Sequence, residues 1–230
     1  MPFEILKRKD KIAILGTGSG WELFPRDSNS VIYALNDYIR VEKYRIKPDM
    51  LFIMDVLDEK PQIVSGIDNL GEVVARINAL QCPLIAPYKY AEIPLSEAFP
   101  IEECIEKFGL PFWNNTIAYM ISYALLQGAR ELELWGINQS SSSEYFYEKN
   151  GVETWLGYAL GMGVKVTING EKSEVFSNKR RLGGNILYGY NCTYDQFVRD
   201  KGKYGEGIIK KLSAPASSYS RTIQRKFGTQ

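Results

Sequence analysis

Three glycines in alternate positions follow an apolar run near the start of the chain. Residues 11–20 read KIAILGTGSG, and the apolar part of this segment is typical of a buried strand. Glycine has no Cβ and adopts positive φ easily, so such a loop can turn main-chain N–H groups toward a phosphate. A plain turn after a core strand would have the same composition. The candidate nucleotide-binding residues in this loop are Gly16, Thr17, Gly18, Ser19 and Gly20.

Acidic and amide side chains follow two further apolar runs. Asn36 and Asp37 come directly after residues 31–35, and Asp55 ends the apolar run 50–54. In an open parallel sheet, ligands bind beyond the carboxyl ends of the strands. Asp37 and Asp55 are therefore candidate catalytic residues that could hold Mg²⁺ against a polyphosphate, with Asp55 as the metal ligand. Alternatively, Asp37 begins the next helix and Asp55 is only a solvated strand end.

A polar turn precedes the most apolar helical pattern in the chain. Asn114, Asn115 and Thr116 lead into this helix, whose first N–H groups and positive dipole end would favour a phosphate or a carboxylate. Capping of the helix by one of these side chains would explain the same residues without a ligand. Asn138 and Gln139 follow the strand-like run 131–135, and we include Asn138 among the candidate nucleotide-binding residues.

The 230 residues include no histidine. This excludes Ser-His and Cys-His nucleophile pairs, together with the side chain that most often binds transition metals. Catalysis would have to use carboxylates, tyrosine, lysine, backbone amides or a hard metal ion held by oxygen atoms. Cys82, Cys104 and Cys192 are too few and too far apart for a disulfide framework or a zinc site, so we expect small buried side chains.

Strand-like and helical patterns alternate along most of the chain. This alternation predicts an α/β fold, a Rossmann-like three-layer sandwich with a mostly parallel sheet and a basic C-terminal extension. Helices are expected after Asn69, over residues 115–128 and from Asn150. Strands are expected over residues 12–15, 31–35, 50–54, 84–86, 131–135 and 164–168, with a further short one near 186–188.

The connection between the first two predicted strands is too short for a full helix. Only residues 16–30 separate them, and Pro25 interrupts the part that follows the glycines. A dinucleotide-binding unit normally has a helix at this place. The short connection therefore favours a single nucleotide over a nicotinamide dinucleotide.

Charge divides the chain into an acidic body and a basic tail. We predict a nucleotide-binding domain over residues 1–176, peripheral elements over 177–200 and a tail over 201–230. The tail has seven Lys or Arg residues and one acidic residue, a net charge of +6, which leaves −5 for residues 1–200. Such a tail could hold a protein partner or a second copy of the chain, whereas nucleic-acid binding would rest on charge alone. No signal peptide or membrane-spanning run is evident, so a cytoplasmic protein without membrane contact is expected.

Taken in order, these motifs resemble one known superfamily. It contains the MptE-like 6-hydroxymethylpterin diphosphokinases, the motility-associated Maf proteins and the bacterial sialyltransferases of the Cst type. Its members share a glycine loop, an Asn after the second strand, a P-D-x-x-x-x-x-D strand, a polar turn that opens a helix and a strand that ends in G-x-D. The counterparts here are GTGSG at 16–20, Asn36, PDMLFIMD at 48–55, NNT at 114–116 and WGIN at 135–138.

The resemblance implies a nucleotide-dependent transferase that acts by phosphoryl, pyrophosphoryl or glycosyl transfer. The nucleotide or nucleotide sugar would lie across the glycine loop, Asn36 and the turn at 114–116. Asn138 stands where the family usually has Asp, Ser19-Gly20 replaces Pro-Ser, and no histidine matches the base of the sialyltransferases, so sialyl transfer by that route is not expected. The alternative is a degenerate structural or assembly protein, as in a phage virion, that resides in the host cytoplasm or the virion and holds its partner through the basic tail.

Overall fold

Seven strands form the central sheet. The computed structural model describes residues 10–57, 66–67, 69–140, 147–170, 172–177, 186–187, 192–193, 196 and 199. The strands of the sheet are β1 (Lys11–Leu15), β2 (Val31–Leu35), β3 (Met50–Phe52), β4 (Leu84–Ala86), β5 (Ser96–Ala98), β6 (Glu131–Trp135) and β7 (Lys165–Asn169). The helices are α1 (Val41–Tyr44), α2 (Leu70–Leu80), α3 (Ile101–Phe108), α4 (Thr116–Leu126) and α5 (Lys149–Gly161).

The chain divides into two units, Met1–Arg181 and Leu182–Gln230. The sheet and all five helices belong to the first unit. In the second unit, β8 (Ile186–Leu187) pairs antiparallel with β9 (Cys192–Thr193), which confirms the short strand predicted near residue 186. The predicted basic tail, residues 201–230, lies outside the described residues.

Every pair of neighbouring strands in the seven-stranded sheet is parallel, and the strand order is β5-β4-β3-β2-β1-β6-β7. The chain moves outward from β1 to β5 and then returns to place β6 on the other side of β1. The chain therefore continues from β1 and from β6 toward opposite sides of the sheet, and such a switch point is where a crevice is expected at the carboxyl ends of the strands. This arrangement confirms the predicted α/β class.

Helices cover both faces of the sheet. In β1, Ile12 and Ile14 belong to one hydrophobic core, which also contains residues of α3, α4 and α5. Ala13 and Leu15 belong to the opposite core, together with residues of α2 and of the segment 38–46. A parallel strand buried on both faces is continuously apolar, which is why the run IAIL identified β1 in the sequence. The predicted three-layer sandwich is confirmed.

Local sequence signals located most of the helix boundaries. Asn69 caps α2, because its Oδ1 accepts a hydrogen bond from the Glu72 N–H at 3.1 Å. The predicted helix at Asn150 begins one residue earlier. Neither β5 nor α3 was predicted, since the three residues of β5 read SEA and lack the apolar character of a buried strand.

An aromatic cluster occupies the place of a helix between β1 and β2. A single 3₁₀ turn, Trp21–Leu23, lies in this connection, as the short spacing predicted. The Trp21 ring meets Tyr44 edge-on at 4.8 Å, and Tyr44 stacks on Tyr38 at 4.2 Å. Phe24 packs on Trp135 of β6 with the ring centres 5.7 Å apart. Aromatic side chains therefore cover this part of the sheet.

Cys82 and Cys104 are buried, as predicted from their composition and spacing. Burial raises the pKa of each thiol to about 11, so both remain protonated at neutral pH. Among the described helices, none is both long and apolar enough to cross a bilayer.

The aromatic cover predicts a large difference between two adjacent residues. Phe24 is 4% exposed, whereas Leu23 is 67% exposed. We expect Phe24→Ala to lower the free energy of unfolding by about 3–5 kcal/mol, because it leaves a cavity against Trp135. Leu23→Ala should stay within about 0.5 kcal/mol of the parent protein. Urea denaturation measures both values, and equal effects of the two substitutions would contradict this account of the connection.

Candidate functional site

A cleft of about 740 Å³ opens at the carboxyl ends of β1, β2, β3 and β6. Small-molecule sites commonly have volumes of about 300–1,000 Å³ and lie at such switch points of parallel sheets. The structure brings most of the predicted site residues together here. Those that line the cleft are Gly16, Thr17, Gly18, Asn36, Asp55, Asn114, Asn115, Thr116 and Asn138. Ser19, Gly20 and Asp37 are not among the lining residues.

The glycines allow the loops after β1 and β6 to approach each other backbone to backbone. The Gly16 N–H donates to the Trp135 carbonyl and the Gly18 N–H to the Gly136 carbonyl, each at 2.8 Å. A Cβ atom at Gly16 would lie 2.5 Å from the Gly136 oxygen, and one at Gly18 would lie 2.8 Å from it. Close approach of two main chains therefore explains both glycines.

The remaining amides of the loop also have partners. The Gly20 N–H donates to the Glu22 carboxylate at 2.9 Å. The Asn138 side-chain amide is oriented so that its nitrogen donates to the Ser19 carbonyl and its oxygen accepts from the Ser19 N–H at 3.1 Å. Of the five loop residues, only Thr17 has an N–H without an acceptor in the described part of the chain. Four of the five loop N–H groups therefore donate to acceptors within the protein.

The start of α4 combines a cap with unused donors. The Asn115 Oδ1 accepts from the Ala118 N–H at 2.9 Å, which confirms that this residue is the N-cap. The N–H groups of Thr116 and Ile117 have no acceptor among the described residues, and both residues line the cleft. Unpaired donors at the positive end of a helix dipole form an anion site. Capping and ligand binding are therefore compatible at this helix.

Two asparagines also join the start of α4 to the start of α5. The Asn114 Nδ2 donates to the Tyr147 carbonyl at 2.8 Å, and the Asn115 Nδ2 donates to the Glu148 carbonyl at 2.7 Å. Gly151, in the first turn of α5, faces this junction, and a Cβ atom there would lie 1.8 Å from the Asn114 Oδ1. The position of the α4 N-terminus in the cleft thus depends on a residue of another helix.

Asp55 presents its carboxylate to the cleft. The side chain is exposed, and it forms no hydrogen bond or ion pair within the described chain. Among the described residues that line the cleft, Glu148 is the other acidic one, and none is Lys or Arg. No group of three or more Cys, Asp or Glu residues that could hold a metal occurs among the residues described.

Asp37 belongs to an ion-pair cluster outside the lining of the cleft. Its carboxylate accepts from Arg40, from the Tyr44 hydroxyl at 2.7 Å and from Lys43 at 3.4 Å. Burial opposes ionisation of Asp37, but these hydrogen bonds and the charges of Arg40 and Lys43 outweigh it and lower its pKa. Asp37 is therefore bound to neighbouring side chains, whereas Asp55 lines the cleft.

Eight lining residues were not among the candidates predicted from the sequence. Four are apolar and four are not: Leu35, Met54, Ile117 and Ile137, and Gly136, Gln139, Ser140 and Glu148. Gly136, with φ +64°, lets the loop after β6 turn against the glycine loop, and its place directly after a strand was the available signal. Ser140 and Glu148 gave no signal beyond their polarity. Gln139 has φ +47° and is 7% exposed, and its side-chain oxygen has no partner. Nothing in the local sequence reveals that strain.

The helix junction predicts opposite effects for two glycines of α5. Gly151→Ala should lower the free energy of unfolding by about 1–3 kcal/mol, because the methyl group displaces Asn114 from the junction. Gly157, in the same helix, has open space around its Cβ position, so Gly157→Ala should stabilise the protein by about 0.5–1 kcal/mol. Thermal unfolding measures both, and stabilisation by Gly151→Ala would contradict the junction.

The ion-pair cluster predicts a pH-dependent contribution to stability. Because folding lowers the pKa of Asp37, its contribution is present above the unfolded pKa of about 3.9 and disappears as the pH falls through the folded value. Asp37→Asn should therefore lower the free energy of unfolding at pH 7 by about 1–3 kcal/mol. The difference between the parent protein and the variant should become smaller as the pH falls and Asp37 is protonated. Urea titrations of both proteins from pH 7 to pH 3 test this, and an unchanged difference across that range would contradict it.

The solved structures similar to this chain include bacterial sialyltransferases of the Cst type. A variant of the sialyltransferase CST-II in complex with CMP is 13% identical, with a TM-score of 0.49, over 83% of this chain and 98% of that chain. CstII from Campylobacter jejuni in complex with cytidine-5'-monophosphate is 13% identical, with a TM-score of 0.46, over 83% and 97% of the chains. Cst-I from Campylobacter jejuni, a monofunctional alpha-2,3-sialyltransferase, is 12% identical, with a TM-score of 0.35, over 87% and 96%.

No protein-family model matches the chain, and none of the curated proteins matches it.

Proposed function

We propose that the protein is a nucleotide-dependent transferase whose cleft binds a nucleotide or a nucleotide sugar. The observation that carries this proposal is the pair of unused N–H groups, at Thr116 and Ile117, on the wall of the cleft at the switch point of the sheet. A phosphate there would accept hydrogen bonds from both donors and lie at the positive end of α4. The nucleoside would extend from α4 across Gly16–Gly18 toward Asn36.

Of the possible reactions, we favour glycosyl transfer from a nucleotide sugar. Phosphoryl transfer develops charge on several phosphate oxygens and depends on Lys, Arg or metal ions to neutralise it. The lining residues that the structure describes include two acidic ones, Asp55 and Glu148, and no Lys or Arg. A single phosphate that leaves from a sugar could be stabilised by the helix donors alone. The charges in the cleft therefore support the glycosyl reaction.

Asp55 is the group that we assign to the chemical step. The acceptor hydroxyl would attack the anomeric carbon while its proton passes to the Asp55 carboxylate. The bond between that carbon and the phosphate oxygen would break, and its electron pair would leave with the nucleotide. The donors of Thr116 and Ile117 would then hold the developing phosphate charge.

A role for Asp55 in holding Mg²⁺ belongs to the alternative reaction. Mg²⁺ is often bound by one or two carboxylates together with substrate phosphates. Asp55 and Glu148 line the same cleft and could provide such ligands, but no larger acidic cluster supports them in the described residues. A bound metal would supply the positive charge that a polyphosphate needs.

Two measurements on one variant test the proposal. Nucleoside mono-, di- and triphosphates and nucleotide sugars at millimolar concentration should raise the Tm of the parent protein. Asp55→Asn should bind these ligands equally or more tightly, because it removes a negative charge from an anion site. It should also slow the release of nucleotide from a nucleotide sugar by about 100-fold or more, as expected for a lost general base.

The control and the opposing outcomes separate the two reactions. Asp37→Asn should lose stability yet keep its ligand-induced shift, since Asp37 is not a lining residue. The absence of any thermal shift across the panel would overturn the proposed function. Turnover that EDTA abolishes would favour phosphoryl or pyrophosphoryl transfer with Mg²⁺ at Asp55.

A further inference from the structure

Gln139 combines two unfavourable features at one position in the cleft. Its backbone has φ +47°, a left-handed conformation that residues other than glycine seldom adopt. Its side chain is 7% exposed, and its buried Oε1 has no hydrogen-bond partner among the described residues. Strained backbone and unpaired buried polar atoms are both rare in folded proteins, and each is enriched at functional sites.

Neighbouring segments hold Gln139 in this conformation from both sides. The Glu174 N–H donates to the Asn138 carbonyl at 2.7 Å, and the Ser173 hydroxyl donates to the Ile137 carbonyl at 2.8 Å. The Asn138 side chain pairs with Ser19 on the opposite side. Fixed flanking residues are what a strained conformation requires in order to persist.

Two of the three other left-handed non-glycine residues in the described chain have an explanation that does not apply to Gln139, and the third, Phe176, lies at a kink in the segment Val175–Ser177. Arg45 and Gln81 stand at the C-caps of α1 and α2, where helices commonly end in this conformation. The Gln81 side chain is exposed and donates to the Asn78 carbonyl at 2.6 Å. Gln139 ends no helix, and its side chain has no such partner in the described structure.

We infer that Gln139 is a recognition residue whose side-chain oxygen accepts a hydrogen bond from an amino or hydroxyl group of the bound ligand. This inference rests on the proposed nucleotide-binding function of the cleft. The last torsion of a Gln side chain is soft, so the oxygen can turn to the cleft without movement of the backbone. An incoming donor would then satisfy the atom that is unpaired in the free protein.

The chemistry of the oxygen restricts which part of the ligand it contacts. An ionised phosphate has only acceptor atoms, so it cannot satisfy Gln139 and is placed instead at Thr116 and Ile117 of α4. The donor must come from the nucleobase or from a sugar. The ligand therefore crosses the cleft with its phosphate at the helix and its amino or hydroxyl group at Gln139.

Gln139→Met tests the inference, because Met has a similar shape but no polar amide. We expect the Tm of the ligand-free protein to rise by about 2–4 °C, since the unpaired polar atom is lost. We also expect the dissociation constant for the best ligand of the nucleotide panel to rise about fivefold to tenfold. A residue with only a structural role would instead lose stability on substitution and leave affinity unchanged.

Gln81→Met is the matched control. It places the same substitution at another left-handed glutamine, and it should neither raise the Tm nor change affinity. Parent protein that binds nucleotides, with Gln139→Met binding equally well, would overturn this inference and leave the proposed function in place. Failure of the parent protein to bind any member of the panel would overturn both.

Paired ligands identify the donor. If Gln139 contacts the base amino group, Gln139→Met should weaken the binding of CMP more than that of UMP, because uracil has no amino group. If it contacts the ribose 2′-hydroxyl, the substitution should weaken the binding of CMP more than that of 2′-deoxy-CMP. An equal loss for all three ligands would assign the contact to another hydroxyl, whereas no loss for any of them would refute the inference.

Discussion

The site depends on one backbone contact between two loops that are distant in sequence. The parallel pairing of β1 with β6 continues beyond the strand ends, where the Gly16 and Gly18 amides reach the carbonyls of Trp135 and Gly136. Gly16, Gly18 and Gly136 permit this contact, since a Cβ atom at any of them would lie within 2.9 Å of an opposing carbonyl oxygen. This contact forms one wall of the cleft, and it fixes the segment that contains Asn138 and Gln139.

The second wall of the cleft comes from helix ends. Asn115 caps α4 with its oxygen and binds the segment before α5 with its nitrogen, so one side chain orients two helices. Gly151 lets α5 approach closely enough for that bond. The start of α4 consequently lines the cleft on a rigid support, which suits a site that must hold an anion in one place.

The sequence was most informative where a short-range signal determined the structure. The run IAIL, the Asn69 cap and the polar turn at 114–116 each identified an element, because propensity and capping act over a few residues. Long-range contacts had no such signal. The amides of Gly16, Gly18 and Ser19 donate to residues about 120 positions away, and no pattern within the loop predicts those contacts. The left-handed backbone of Gln139 had no local signal either, and the residues before it are held by the distant Ser173 and Glu174.

The charge pattern of the cleft bears on how a ligand would arrive and depart. The described lining, with two acidic side chains and no Lys or Arg, would itself give no long-range attraction to a nucleotide. Recognition would rest on short-range hydrogen bonds from fixed amides, which salt screens far less than contacts between exposed charges. Affinity would then change little with ionic strength, and a doubly charged product would leave a site that holds no fixed cation among its described residues.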